Sequence, residues 1–217
     1  MYLYNLIKFL EKIRIPSREL PTLKKVINTT LIFLLGVGLG IFSKWLDNLS
    51  IDDSILCQHI LGILDLGNIF SVFGVWILIA TSISIFSNTP LRAGINVFVF
   101  FLGMCFSYHL YTIIFAGFNP MGYMMIWYLV TLISPLMAFI CWYAKGNGVI
   151  PFIINICILT VMIFCCFSIG IWYFDFNSII ETLFFVVTLF ILYDTPKKSI
   201  YTLVISFIFA YIIRFFM

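Results

Sequence analysis

Seven apolar runs, at about 26–46, 66–86, 93–115, 121–144, 149–172, 178–193 and 199–217, follow one another with little polar sequence between most of them. A helix needs roughly 20 residues to cross the hydrocarbon core of a bilayer, and all but the sixth run come close to that length or exceed it. Backbone in lipid has no water to bond with, so each run must close its own hydrogen bonds as a helix. The chain thus reads as an all-α polytopic membrane protein, a bundle of about seven transmembrane helices. The sixth run is short and holds Glu181; as a tilted or re-entrant segment it would leave six full spans.

Composition closes off the alternatives. Only 10 % of the 217 residues are charged, whereas a soluble domain carries roughly 25 %. With 63 % hydrophobic residues and a mean hydropathy of +1.15, there is no sequence left for a separate soluble catalytic or nucleic-acid-binding domain. We expect two parts: a cytoplasmic segment over 1–25 and one membrane domain over 26–217. The net charge of +3 then bears on orientation in the membrane and not on a nucleic-acid partner.

In the first part, Leu3, Leu6, Ile7, Leu10 and Ile13 share one helical face and Lys8, Glu11 and Lys12 the other, the pattern of an amphipathic interfacial helix. Pro16 and Pro21 end it. Residues 47–65 set Asp47, Asp52, Asp53 and Asp65 around Ile55, Leu56, Ile60, Leu61 and Leu64, which predicts an outer loop carrying a short surface helix. Lys and Arg collect on cytoplasmic loops, and seven spans with a cytoplasmic N-terminus put ten of the twelve inside, leaving Lys44 and Arg214 outside. The expected placement is a multi-pass protein of the cell membrane with its C-terminus outside.

Polar residues at membrane depth are the places to look for function, because each needs a partner. In the first run Gly36, Gly40 and Lys44 form one helical row, with Asp47 a turn further on. That row reads either as a close-packing face or as one wall of a site. His109 can tie two helices together or serve a ligand, and its charge changes near neutral pH. Glu181 calls for neutralisation, a cation or hydration. Lys44, Asp47, His109 and Glu181 are accordingly the candidate lining of an outward-facing polar pocket roofed by 47–65. Asn96 and Asn155 read as interhelical clamps, and Pro135 as a helix-packing position with a freed backbone carbonyl.

No zinc-protease His-Glu-x-x-His, nucleophile-elbow Gly-x-Ser-x-Gly or phosphate-loop pattern is present, so no catalytic role is expected. Five of the six cysteines lie in apolar runs, and Cys57 with His59 offers too few ligands for a metal, so neither metal nor cofactor is expected. In layout, the long outer segment beside a span with a small-residue face resembles the substrate-binding subunits of vitamin-uptake transporters, whose first outer loop covers the ligand, although those subunits typically have six spans. Three classes are in play, the last of them an enzyme of unrecognised type, and the first two are the ones the sequence favours. One is a small-molecule transport or substrate-capture subunit; the other is a non-catalytic partner or regulatory subunit of a larger membrane complex. The lipid bilayer is the one partner common to both.

Overall fold

A computed structural model describes residues 9–17, 20–49, 66–170 and 172–216. The roof segment from 50 to 65, with Cys57, His59 and three of its aspartates, lies outside the described residues, as does most of the amphipathic stretch; residues 9–13 are helical.

The helices are α1 (Thr22–Asp47), α2 (Leu66–Ser71), α3 (Phe73–Phe86), α4 (Pro90–Tyr111), α5 (Met121–Trp142), α6 (Val149–Cys166), α7 (Ile179–Leu192) and α8 (Pro196–Phe216). α4 runs on through a π turn, Thr112–Ala116, and α5 through a 3-10 turn, Tyr143–Lys145. With these extensions, five helices are long and apolar enough to cross a membrane: α1, α4, α5, α6 and α8. α3 and α7 are apolar but have 14 residues each, about 21 Å of helix against the ~30 Å of the hydrocarbon core.

Two of the expected runs are shaped differently. The second is split at Val72, whose extended backbone separates α2 from α3. The fifth stops being helical at Cys166, where Phe167–Ile169 pairs antiparallel with Phe174–Phe176. The alternation Phe-Ser-Ile against Phe-Asp-Phe has a strand's period of two, and it outweighs the continuous hydropathy that suggested a longer helix. The hairpin is held by Phe167, which touches the rings of Phe174, Phe176, Phe185 and Phe207.

The interior falls into two cores. The first is built from α3, α4 and α5 around Trp76, Phe100, Met104, Trp127 and Trp142, and is closed at one end by Ile13. The second comes from α6, α7 and α8 around Leu159, Met162, Ile163, Phe185 and Ala210. α3 belongs to both, giving Val75 and Trp76 to one and Ile85 to the other.

Backbone reaches backbone at the α1–α4 seam. A Cβ added at Gly36 would stand closer than 3.0 Å to the Phe100 carbonyl, and one at Gly40 would collide with Met104 and Ser107. Ser107 donates to the Val37 carbonyl across the same seam, at 3.0 Å. Gly38 faces open space. On α5, Pro135 cannot bond the Thr131 carbonyl, and the Ser134 hydroxyl donates to it at 2.9 Å in place of the missing N–H. The carbonyl expected to be free is thus occupied within its own helix, while Gly94 of α4 packs against the carbonyl of Pro135.

Gly36→Leu and Gly40→Leu should each lower stability in detergent by about 1–3 kcal/mol, the usual effect of overpacking, while Gly38→Leu should stay within about 0.5 kcal/mol, as surface changes do. Thermal unfolding of the three variants measures this; equal midpoints would show that the seam tolerates bulk.

Candidate functional site

The helix directions give the bundle two distinct ends. Arg92, at the start of α4, donates to the carbonyl of Lys25 near the start of α1 at 2.8 Å, so these two helices begin at one end. Ser17, Asn88 and Asn147 meet the chain there too, through Ser17 N–H to Asn88 O and Asn147 N–H to Ile13 O. This end carries Arg14, Lys24, Lys25, Arg92, Lys145, Lys197 and Lys198. At the far end lie Lys44, Asp47, Asp175, Glu181 and Arg214.

Of the four expected pocket residues, the structure brings two together. Lys44 and Asp47 are 3.6 Å apart, with side-chain exposures of 10 % and 19 %. Tyr108 of α4 donates to Asp47 at 2.7 Å and Ser71 of α2 donates to its other oxygen at 3.4 Å, while the Lys44 ammonium lies over the Tyr108 and Phe118 rings. Three helices are thereby cross-linked through one carboxylate. The cavity that borders Tyr108, Ser43 and Trp127 measures about 10 Å³, room for a single water at most.

His109 is next to Tyr108 in sequence but faces another way. Its Nδ1 meets the Tyr128 hydroxyl and its Nε2 lies 2.9 Å from Asn119 Oδ1, so the ring joins α4, α5 and the turn between them. Glu181 is in the other half of the bundle, buried near Cys165 and Cys166. Its backbone N–H donates to the Ser178 hydroxyl at 3.0 Å, and Ser178-x-x-Glu181 has the spacing of a capping box at the start of α7. That motif could have been found in the sequence and gives the carboxylate a reason to be there, beside the positive end of a helix.

Asn96 accepts from Thr29 at 3.1 Å and donates to Ser87 at 3.2 Å, linking α1, α4 and the end of α3. Ser87 in turn accepts from the Trp142 indole at 2.7 Å. Arg14 completes the belt: it donates to the carbonyls of Trp142 and Ile85 and lies 4.1 Å over the Trp142 ring. Burial there holds its guanidinium below the ordinary arginine value.

A larger space opens at the basic end, where sequence reasoning placed no site. Its volume is about 280 Å³, and its walls are Lys145–Gly148, the first turns of α6, the end of α7 and the first turns of α8. Asn155 lines it, 8 % exposed. Its Nδ2 donates to the Ala144 carbonyl at 3.2 Å, which fixes the amide's orientation, and its Oδ1 has no hydrogen-bond partner among the described residues. The mouth carries Lys145, which donates to Tyr193 O at 2.6 Å, and a Lys198–Asp194 pair at 2.8 Å. The sequence signals were present as Lys145-Gly-Asn-Gly148 and Asp194-Thr-Pro-Lys-Lys198, two turns that only the fold shows to be neighbours.

Among the described residues no group of three or more His, Cys, Asp or Glu is placed to hold a metal. Comparison with known proteins gives no match to a family model, a curated protein or a solved structure.

Tyr108→Phe removes one charge-assisted bond to Asp47 and should lower stability by about 1.5–3 kcal/mol. Tyr123→Phe, whose ring packs on Tyr108 without bonding Asp47, should be milder. Thermal unfolding in detergent compares them; both changes keep the ring, so a Tyr108→Phe loss no larger than that of Tyr123→Phe would mean that the Asp47 bond does not hold this end.

Proposed function

We propose that the protein is a small-molecule transport or substrate-capture subunit of the cell membrane, with its ligand site at the basic end of the bundle. The observation that carries this is the 280 Å³ cavity, walled by Lys145, Asn155 and Lys198 and by the apolar side chains of Phe152, Leu159, Leu189 and Leu192. The volume equals about nine waters and is at the lower edge of ligand-pocket sizes. Lys44, Asp47 and His109 serve this reading as cross-links that hold the far end together.

Within it, the chain spans the bilayer seven times with the N-terminus cytoplasmic. Support comes from the alternating direction of α1 and α3 through α8 and from the basic residues gathered at the end where α1 begins. The cavity then faces the cytoplasm. Residues 9–17 lie on that side, with Leu10 and Ile13 turned to the first core.

Native mass measurement of gently solubilised protein should find a small molecule retained by the wild type and lost from Ser199→Trp, which fills the cavity mouth. A stoichiometric second polypeptide with no small molecule would instead favour the partner-subunit function. For topology, a membrane-impermeant thiol reagent applied from outside should reach position 57 and a cysteine added after Met217; protection of the latter would mean an even number of spans.

A further inference from the structure

We propose that residues 9–17 form a strap that restrains the mouth of the basic-end cavity, acting through the turn at 145–148; this rests on the cavity being the ligand site. The turn borders the cavity with Lys145, Gly146, Asn147 and Gly148. Elsewhere it leans on the strap. The Asn147 N–H donates to the Ile13 carbonyl at 2.7 Å, and Gly146 comes so near that a Cβ there would stand closer than 3.0 Å to the same oxygen. None of residues 9–17 lines the cavity, so the strap supports the turn from outside it.

Few contacts hold the strap itself. Arg14 donates to the carbonyls of Trp142 and Ile85, in the last turns of α5 and α3, where the partial negative charge of a helix end favours a guanidinium. Ile13 is buried in the first core and the Ser17 N–H donates to Asn88 O at 3.0 Å, but Phe9, Glu11, Lys12 and Ile15 are exposed. The turn has little stiffness of its own, because Asn147 stands between two glycines and Gly148 has a φ of +105°. Across the cavity mouth it is tied by Lys145, which donates to Tyr193 O at 2.6 Å. Arg14 is therefore a positioning residue. Loosening it removes the backing of the turn and leaves the Lys145 contact alone to keep the mouth narrow.

Ser199, half-buried in the cavity wall, becomes the reporter as Ser199→Cys, with maleimide modification at position 199 read by peptide mass in a chain that keeps its native cysteines. Release of the strap is read separately, as trypsin cleavage after the exposed Lys12, beside the buried Ile13. Arg14→Gln should speed both reactions by about tenfold or more, the change expected for losing a charge-assisted bond. Arg14→Lys, whose ammonium lacks the planar fork, should fall between it and the wild type. Gly146→Ala displaces the strap from the turn side and should also speed both. Cys166, fully buried in the second core, should stay unmodified throughout and marks the intact bundle. If Arg14→Gln exposes Cys166 as well, Arg14→Lys and Gly146→Ala carry the comparison. Faster cleavage at Lys12 with an unchanged rate at position 199 would overturn the strap's hold on the cavity, as would unchanged cleavage in every variant; both leave the ligand site standing. The ligand site fails by a different result, a wild type that retains no small molecule, whatever the strap does.

Discussion

Hydrogen bonding in a dry interior governs this molecule more than apolar attraction does, because lipid is as apolar as leucine and gives helices no hydrophobic reason to associate. The response is a belt of polar contacts near one end of the bundle. Arg92, Thr29, Asn96, Ser87, Trp142 and Arg14 pass hydrogen bonds from α1 through α4 and α3 to α5 and the N-terminal segment. Each member satisfies another that would otherwise be unpaired in low dielectric, so loss of one is felt by several. At the other end Asp47 does the same for α1, α2 and α4. Between the two, the glycine seam brings α1 and α4 close enough for dispersion to add up along their length.

Much of this architecture could be read from the chain. Hydropathy located the helices because a bilayer leaves backbone few options, and the row of Gly36, Gly40 and Lys44 named the face of α1 that is buried. What misled was local pattern hidden inside long apolar stretches. Val72 interrupts a run, and the alternation after Cys166 makes a hairpin, yet neither changes mean hydropathy over a window. The 14-residue length of α3 likewise emerges only when its ends at Val72 and Ser87 are resolved, whereas the shortness of α7 was already visible in the sixth run.

The site was less legible, for a physical reason. A costly residue draws attention one at a time, and Lys44, Asp47, His109 and Glu181 are all costly. Cost identifies groups that need partners without saying whether the partner is a side chain or a ligand. Tyr108, Tyr128 and Asn119 answer for two of the four, Asp47 and His109, and a tyrosine hydroxyl is invisible to a search for ionisable clusters. Asn155 had the opposite problem. It was expected to be a clamp, and Nδ2 does clamp Ala144, while Oδ1 is buried without a bond among the described residues, which only the fold reveals.

α3 gives the molecule an order of assembly. Its Trp76 side is covered mostly by helices made before residue 145, with Ile154 and Phe184 added later, and its Ile85 end mostly by helices made after residue 149, with Ala144 and Cys141 beside them. During synthesis the first core can therefore close, with Ile13 seated against it, while one flank of α3 still faces lipid. For that interval the nascent half-bundle carries an unmatched surface of the right shape for α6 and α7, and Ser87 is already committed to Asn96 and Trp142. The short helix in the middle is thus the shared wall of both halves, and neither its Trp76 side nor its Ile85 end is covered by α3's own neighbours in sequence alone.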